Sequence, residues 1–515
     1  MTDKPNFLFI CTDQLRADFL SIYGSQLIET PNIDSIGRSG VAFDNAYVNN
    51  PVCTPSRATM FTGLTPRQHL LRTNGIAMDE SVPTVMDVLG NTGYLTHSIG
   101  KLHVSPTGTA KGMSPDAQDR RFTKENRDLW NKGVYKTFDV PYHGFQTVDF
   151  VGGHVNYTFG DYAMWLEKQK PGGHVLLSRE KALKTPPGPN DAWTIALPNE
   201  FHYNTYIADR TVQFLRQRGK DKQPFFLWAS FPDPHHPYAA PEPYASLVNP
   251  KDVFLPAWDQ SEENLMPPHY KRALHDPQFK SNGIFGATLW PDEWYRTAIA
   301  YTCGMVKMID DAVGKILKAL RENGLSHNTI VLFTSDHADL MSDHRLVKKG
   351  PFLYRGLIRV PMLFSGPGVT NSGVVPAIAS LLDLVPTVLD YTGLSFPEGY
   401  KPLQPEEPET PALPSVSLRA VLNGRADSAR DSALVEFDDG YLGIRQRCLV
   451  TERYRIVVYQ GAEYGELFDL QEDPGEHVNL WNDPDCDGVR SELTSALLDE
   501  IMRTDWNLPR RTCHA

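Results

Sequence analysis

Three apolar runs, each followed at once by polar side chains, constrain the fold of this chain more than any other feature. The runs lie at residues 7–11, 224–231 and 329–333, and the polar segments behind them begin at Thr12, Pro232 and Thr334. Near-continuous apolar runs of this length are typical of strands buried on both faces of a parallel sheet. Ligands of open α/β sheets bind beyond the carboxyl ends of the strands. The three polar segments are therefore predicted to meet at one edge of a sheet.

The pattern predicts two domains. A helix that ends at Gly324 precedes the run at 329–333, with apolar positions at helical spacing: Tyr301, Met305, Met308, Ala312, Ile316 and Leu320. Six prolines mark an irregular connection beyond about residue 395: Pro397, Pro402, Pro405, Pro408, Pro411 and Pro414. Short strands at 455–459 and 466–470 and a helix at 489–502 follow. We expect a catalytic α/β domain at 1–395 and a C-terminal subdomain at 396–515.

Cys53 is predicted to stand at the N-terminus of a short helix. Pro55 suits the first turn of a helix, and Gly63 suits the left-handed residue that ends one. Unpaired backbone N–H groups and the helix dipole make such a terminus an anion site, to which Arg57 adds a positive charge. A nucleophile beside an anion site is implied, although an isolated Cys near a Pro is more often a buried packing residue.

The composition narrows the class of protein. The chain of 515 residues has a net charge of −12, which argues against a nucleic-acid surface. No apolar run approaches the roughly 20 residues of a membrane span. The first residues lack the pattern of a signal peptide, and six scattered cysteines form no disulfide framework. A globular cytoplasmic enzyme is therefore expected.

Eight short motifs stand out along the chain: Asn-Phe-Leu-Phe-Ile-Cys-Thr-Asp-Gln at 6–14, Thr-Pro-Asn-Ile-Asp at 30–34, Cys-Thr-Pro-Ser-Arg at 53–57, Gly-Lys-Leu-His at 100–103, Pro-His-His-Pro at 234–237, Thr-Ser-Asp-His at 334–337, Lys-Gly-Pro at 349–351 and Arg-Val-Pro at 359–361. Together and in this order they resemble the motifs of the type I sulfatases, members of the alkaline-phosphatase-like superfamily that convert the Cys of a Cys-x-Pro-Ser-Arg signature into Cα-formylglycine. The resemblance implies a large, mostly parallel sheet flanked by helices and a smaller C-terminal α+β domain on an antiparallel sheet. It also implies that Cys53 becomes formylglycine, with a maturing enzyme as partner.

The resemblance implies a divalent metal, held by Asp13, Gln14, Asp336, His337 and a hydroxyl of the converted Cys53. An oxygen-rich set with one imidazole suits a hard ion, so calcium is preferred, with manganese or magnesium as alternatives. Many relatives carry Asp where this chain has Gln14. With Gln at this position, the chain resembles the branch that includes choline sulfatases, bacterial arylsulfatases and phosphonate monoester hydrolases. The lost carboxylate leaves the identity of the metal open.

The chemistry of formylglycine explains why a plain nucleophile would not serve at residue 53. Its hydrated aldehyde carries two hydroxyls, of which one attacks the sulfur of the ester. Deprotonation of the other then expels sulfate and regenerates the aldehyde. Arg57, Lys101 and Lys349 match the family's cations, which stabilise the charge on the transition state.

The remaining roles also come from the resemblance. His103 matches the residue that deprotonates or holds the second hydroxyl, and His235 matches the one that, with Lys349, protonates the leaving alkoxide. His236 is the rival of His235, which is preferred as the first His of the Pro-His-x-Pro pattern. Asn74 lines up with a residue that hydrogen-bonds the bound ester.

The predicted function is hydrolysis of small-molecule sulfate monoesters, aryl or alkyl. The alternative is a phosphonate monoester or phosphodiester hydrolase, whose members lack the pair Lys101 and His103. A non-catalytic binding protein is disfavoured because every catalytic position is present. The alcohol stays open, and an insertion at 105–200 is expected to shape its pocket, with six candidate residues in or beside it: His154, Asn156, Tyr157, Trp193, His202 and Tyr203. A homo-oligomer is expected, without nucleic-acid or membrane partners.

Overall fold

The structure is a computed structural model that describes residues 4–109, 122–276, 280–281, 284–285, 289–396, 415–440 and 442–504. Its strands are β1 (Asn6–Thr12), β2 (Val41–Tyr47), β3 (Leu95–Gly100), β4 (Thr147–Phe150), β5 (Ala192–Ile195), β6 (Phe225–Ser230), β7 (Tyr238–Pro241), β8 (Lys280–Ser281), β9 (Ile284–Phe285), β10 (Thr329–Ser335), β11 (Met362–Ser365), β12 (Gly373–Ser380), β13 (Ser432–Asp439), β14 (Ile444–Thr451), β15 (Tyr454–Tyr459) and β16 (Gly465–Asp469). Its α-helices are α1 (Pro31–Arg38), α2 (Cys53–Thr62), α3 (Pro66–His69), α4 (Val85–Asn91), α5 (Arg127–Asn131), α6 (Asp161–Gln169), α7 (Tyr203–Arg218), α8 (Pro268–His275), α9 (Asp292–Glu322), α10 (Arg355–Ile358), α11 (Leu384–Thr392), α12 (Arg419–Leu422) and α13 (Asp487–Arg503).

Eight of these strands form the main sheet, in the order β12-β2-β11-β10-β1-β6-β3-β4. Neighbouring strands are parallel, except that β11 runs antiparallel to both β10 and β2. The three strands predicted from the apolar runs are adjacent, with β1 between β10 and β6. The expected large, mostly parallel sheet is therefore confirmed.

The central strands are apolar on both sides because each face of the sheet is covered. Phe7 and Phe9 of β1 pack into one core with Trp228, whereas Leu8 and Ile10 pack into the opposite core. The second core includes the buried face of α9, which carries the apolar positions predicted at helical spacing. Helix α9 begins earlier than the pattern indicated and ends just before Gly324, whose φ is 68°.

The C-terminal part is the expected antiparallel sheet with a helix, in the strand order β13-β14-β15-β16. Leu434, Ile456 and Leu467 on one face of this sheet pack under α13 through Leu493 and Leu497. Alternate residues of the same strands belong to the core that Phe7 and Phe9 of the main sheet share with Trp228. The prolines from 397 to 414 lie outside the described residues, and the boundary at 395/396 stays a prediction.

The stretch at 105–200, predicted as a pocket-shaping insertion, also contributes to the main sheet. Strand β4 pairs in parallel with β3 at the edge of that sheet. Strand β5 pairs with β7 outside it. No helix in the described part of the chain is both long enough and apolar enough to span a membrane.

Candidate active site

Four adjacent strands of the main sheet end at the same level and bring polar residues to one edge. In register, Thr12 of β1 lies beside Ser335 of β10, and Ser230 of β6 lies beside both Cys11 of β1 and Gly100 of β3. The residues that follow these strand ends include Asp13, Gln14, Lys101, His235, Asp336 and His337. Parallel pairing therefore places together side chains from distant parts of the sequence, as the apolar runs predicted.

Helix α2 brings Cys53 to the same edge. The helix begins at Cys53, and Gly63, with a left-handed φ of 68°, caps its C-terminus after Thr62, so both predicted helix ends are confirmed. A Cβ at Gly63 would lie 2.9 Å from the Cβ of Val385. Cys53 is buried, with 1% of its surface exposed. The Asn74 side chain accepts a hydrogen bond from the Thr54 N–H at 2.9 Å, which places this amide beside the helix N-terminus.

Asp13, Cys53, Asp336 and His337 form a tight cluster, with one possible ligand atom from each lying within 4.8 Å of the others. The Cys53 sulfur is 3.1 Å from His337 Nε2 and 3.7 Å from Asp13 Oδ1. Gln14 Oε1 is buried and has no hydrogen-bond partner among the described residues. Two carboxylates, one imidazole and an unpartnered amide oxygen are the kinds of ligand that a hard divalent ion binds, and they lie close enough together to hold one.

The Gln14 side chain is held by its amide nitrogen, which leaves its oxygen available as a ligand. Nε2 lies 3.0 Å from His236 Nδ1 and 2.5 Å from Asp339 Oδ2. The backbone of Gln14 has a φ of 67°, and its N–H donates to Asp336 Oδ1 at 3.2 Å. Asp339 was not identified from the sequence, although it lies three residues after Asp336 on the same loop.

Three buried cations surround the acidic cluster. Arg57 Nε donates to Asp336 Oδ2 at 2.7 Å, and Lys101 forms an ion pair with Asp13. The Nη2 group of Arg57 is buried, without a hydrogen-bond partner in the described part of the chain. Lys349 Nζ is 3.1 Å from the Cys53 sulfur. The site therefore holds three fixed positive charges beside its carboxylates and residue 53.

These charges shift the pKa values of the groups they surround. Burial and Asp13 act to raise the pKa of the Cys53 thiol, but Lys101, Lys349 and His337 hold it well below its ordinary value. Burial acts to raise the pKa of the Asp13 carboxyl. Lys101 and the neighbouring histidines outweigh this effect and hold the pKa well below its ordinary value, so that the carboxylate is ionised. A thiolate-like anion at residue 53 is favoured by the same cations that would stabilise an oxyanion there.

The two adjacent histidines differ in their contacts. His235 Nε2 lies 2.9 Å from Lys349 Nζ, and its Nδ1 lies 2.5 Å from the carbonyl oxygen of His236. Because a carbonyl only accepts, Nδ1 carries the proton of a neutral ring and Nε2 accepts from Lys349. Burial, together with the charge of Lys349, lowers the pKa of His235 to about 4. His236 instead contacts Gln14, on the side of the acidic cluster.

His154 lies inside the site, although the sequence offered it only as one of several pocket residues. Its ring stacks on that of His235, with centroids 3.7 Å apart, and its Nε2 lies 3.1 Å from Lys101 Nζ. The other pocket residues are mostly structural. Trp193 donates to a backbone carbonyl, Tyr203 donates to buried Asp233, and His202 caps α7. Two remain near the surface or unpaired: Tyr157, which is 53% exposed, and Asn156, whose Oδ1 is buried without a partner among the described residues.

His103 lies close to this edge of the sheet, but its backbone rather than its side chain holds it there. Its backbone has a left-handed φ of 57°, and its N–H donates to Glu125 Oε2 at 2.6 Å. Its ring Nδ1 is buried and has no hydrogen-bond partner within the described ranges. The role predicted for His103 therefore stays a prediction, with a ring nitrogen available for it.

The chain is similar to known proteins over nearly its whole length. Residues 5–394 match the sequence profile of the family described as Sulfatase, and residues 342–503 match that of "N-sulphoglucosamine sulphohydrolase, C-terminal". The chain is 27% identical to an arylsulfatase of Clostridium perfringens, over 97% of this chain and 94% of the relative. It is 25% identical to a choline-sulfatase of Rhizobium meliloti, over 98% and 88%. It is also similar to the crystal structure of a phosphonate monoester hydrolase of Agrobacterium radiobacter, with a TM-score of 0.78 and 27% identity over 97% of this chain and 96% of that one.

Proposed function

The chain belongs to the sulfatase family, and from this premise we propose that it hydrolyses small-molecule sulfate monoesters at residue 53. The observation that supports the proposal is that a possible metal ligand, a cation and a helix N-terminus all meet at one buried sulfur atom. Cys53 Sγ lies 3.1 Å from both His337 Nε2 and Lys349 Nζ, at a helix N-terminus. A sulfuric ester hydrolase needs a nucleophile, fixed cations and a metal-ligand set at one point, and these residues supply all three.

Residue 53 acts as formylglycine, so that the Cys53 sulfur marks the place of a hydroxyl oxygen. The modification supplies two hydroxyls on one carbon, one to attack sulfur and one whose deprotonation expels the sulfate. A divalent ion held by Asp13, Gln14, Asp336 and His337 would supply Lewis acidity and would lower the pKa of a hydroxyl at residue 53. We prefer calcium for this ion, with manganese or magnesium as the alternatives.

The protein's own cations bind the sulfate group. Arg57 is held against Asp336 and Lys101 against Asp13, so both cations are oriented before substrate arrives. Preorganised donors in a buried site stabilise developing charge without reorganisation. The sulfuryl oxygens would lie between these cations and Lys349, with the Asn74 amide beside Thr54 at the N-terminus of α2 as a further contact.

Proton transfer to the leaving alcohol is assigned to the pair His235 and Lys349. Lys349 Nζ donates to His235 Nε2, and the His236 carbonyl fixes the tautomer of His235. A proton of this pair can pass to an alkoxide on the same side as Lys349. His103, whose buried Nδ1 has no partner among the described residues, would hold or deprotonate the second hydroxyl of residue 53.

A phosphonate monoester hydrolase is the second candidate, favoured by the structural similarity to the Agrobacterium enzyme. The pair Lys101 and His103 separates the two functions, because both residues are present here and the family resemblance associates them with sulfate esters. The experiment compares kcat/KM for an aryl sulfate and the matching aryl phosphonate monoester, using protein whose formylglycine content is verified by mass spectrometry. A sulfate preference supports the proposal, and a clear phosphonate preference replaces it. Undetectable hydrolysis of any sulfate ester would favour a binding protein instead.

A formylglycine-generating or sulfatase-maturing enzyme would act on Cys53 before the chain folds around it, because Cys53 is buried in the folded protein. We propose a cytoplasmic homo-oligomer. The alcohol of the substrate is best sought with a library of sulfate esters that includes aryl, sugar and quaternary ammonium groups.

A further inference from the structure

A second cluster of possible metal ligands lies outside the candidate active site. It consists of Glu262, His344 and His477, each of which offers one ligand atom within 4.8 Å of the others. The three come from separate parts of the chain: the short 3-10 helix Gln260–Leu265, the turn Asp343–Arg345 and the segment that follows β16. Neither the predicted function nor its residues account for this cluster.

The contacts within the cluster are those of a carboxylate between two imidazoles. His344 Nδ1 lies 3.0 Å from Glu262 Oε2, and His477 Nδ1 lies 2.9 Å from Glu262 Oε1. The Asp259 N–H also donates to Glu262 Oε1 at 3.1 Å, which fixes the orientation of the carboxylate. Ligating carboxylates are commonly oriented by such outer hydrogen bonds.

Both rings are held so that Nδ1, rather than Nε2, faces Glu262. The ring of His344 stacks on Tyr354, with centroids 3.7 Å apart and planes 16° from parallel. The ring of His477 lies over Gly475, where an added Cβ would be 2.4 Å from His477 Nε2. Two nitrogens and a carboxylate oxygen are a set that zinc binds, with a fourth position left for water, and this set differs from the oxygen-rich set of the active site.

The cluster is accessible to an ion from solvent. His344 and His477 line a cavity of about 230 Å³, and the His477 side chain is 36% exposed. Glu262 and His344 are buried, with 9% and 4% of their surfaces exposed. Two ligands are thus fixed in the protein, and the third lies where an ion can enter and where a water ligand has room.

The backbone near His344 gives the cluster a structural consequence. Ser342, His344, Arg345 and Lys348 all have left-handed φ values, of 81°, 51°, 60° and 63°. Each such non-glycine residue costs free energy, so the segment keeps this shape only through contacts made elsewhere. The next residue is Lys349, whose Nζ contacts Cys53. A metal ion bound to His344 would therefore help to hold the segment that leads to Lys349 in this conformation.

We propose that Glu262, His344 and His477 bind one zinc ion, which ties the segment after β16 to the turn that precedes Lys349. The ion is structural, and it is separate from the metal of the active site. The ion takes the Nδ1 position of each ring, so that a neutral ring carries its proton on Nε2 instead and a protonated ring also releases one proton to solvent.

The test measures zinc binding to the full-length protein in excess calcium, which does not favour a His-rich set. Zinc is titrated against a chromophoric chelator, and Co²⁺ is used as a spectroscopic probe of tetrahedral geometry. The variants are His477→Ala, at a partly exposed position, and Glu262→Gln, which keeps the shape of the side chain. His275→Ala is the matched control, because exposed His275 contacts Glu263 at 2.7 Å in a pair without a second histidine.

We expect the wild type and His275→Ala to bind one equivalent of zinc with the same affinity and to give the intense visible bands of tetrahedral Co²⁺. His477→Ala and Glu262→Gln should lose at least roughly tenfold in affinity. Zinc should also raise the melting temperature of the wild type and not that of His477→Ala. No zinc binding by the calcium-loaded wild type, or equal binding by His477→Ala, would overturn the proposal, since zinc in the active site would survive that substitution.

Discussion

The Lys349 ammonium lies 3.1 Å from the Cys53 sulfur, although the two residues are 296 positions apart in sequence. The same ammonium is 2.9 Å from His235 Nε2 and 3.0 Å from His337 Nε2. Lys349 thus joins the nucleophile position, the metal-ligand cluster and the histidine proposed for proton transfer. In the proposed mechanism, a group with these three contacts is placed to act both in the attack on the ester and in the departure of the alcohol.

Replacement of Lys349 by Met is expected to lower kcat/KM for an aryl sulfate by about 10²–10³-fold, since it removes a preorganised charge from the transition state. Its neighbour provides the control. Lys348 Nζ pairs with Asp191 at 2.8 Å, so Lys348→Met changes the net charge equally. Steady-state kinetics of the two variants should differ by at least tenfold. Equal losses in both would contradict the role given to Lys349.

His235 and His236 are expected to fail in different ways when each is replaced by Asn. His235→Asn should lower kcat most for esters of poorly acidic alcohols, because the leaving alkoxide then needs a proton. His236→Asn should instead weaken metal binding, because His236 contacts Gln14 Nε2 at 3.0 Å. Leaving-group dependence and metal affinity are measured for both variants. The same dependence on the leaving group in both would contradict the choice of His235.

Conversion of Cys53 to formylglycine is expected in active protein and can be read by mass spectrometry of the peptide that contains residue 53. Cys53→Ser should accept a sulfuryl group once and remain sulfated, because serine has no second hydroxyl on the same carbon. A burst of one equivalent of alcohol measures this. Full activity of unmodified Cys53 protein would contradict the mechanism.

Removal of divalent ions is expected to abolish sulfate ester hydrolysis, because the carboxylates of Asp13 and Asp336 would be left in one buried cluster without their ion. Treatment with EGTA followed by separate additions of calcium, manganese and magnesium tests the identity of the ion. Calcium should restore most activity, since the ligands are mainly oxygens. Full activity after EGTA with one equivalent of magnesium bound would contradict calcium.

The sequence was enough to predict which polar residues meet at one edge of the sheet, because the strands that carry them have recognisable local patterns. The runs that became β1, β6 and β10 read as buried strands, and parallel pairing then forces Asp13, His235 and Asp336 to one edge. The end of α2 was readable from Gly63 for the same reason. These features follow from residues near each other in sequence.

Contacts between distant segments could not be predicted in this way. His154 comes from a stretch without a matching motif, and its stacking on His235 is known only from the tertiary structure. Glu262, His344 and His477 have no characteristic spacing, because three separate segments bring them together. Asp339 had a weak signal, as a third acidic position close behind Asp336, but nothing in the sequence joined it to Gln14.

Arg455 is buried between two carboxylates near the proposed zinc site. It forms ion pairs with Glu466, at 3.0 Å, and with Glu476, and the side chains of Arg455 and Glu466 have no exposed surface. Arg455→Met would leave both carboxylates buried without a cation, which costs far more than the pairs themselves contribute. We expect a loss of about 3–5 kcal/mol in the free energy of unfolding.

Urea unfolding monitored by tryptophan fluorescence measures this loss, and Arg453→Met is the control. Arg453 pairs with Asp469 at 2.8 Å, but 48% of its side chain is exposed, so water replaces the lost partner and stability should change little. Replacing Glu466 and Glu476 by Gln in the Arg455→Met background should restore part of the stability, because the buried charges are then gone. Equal midpoints for Arg455→Met and Arg453→Met would show that the buried carboxylates find other compensation, and the argument from burial would fail.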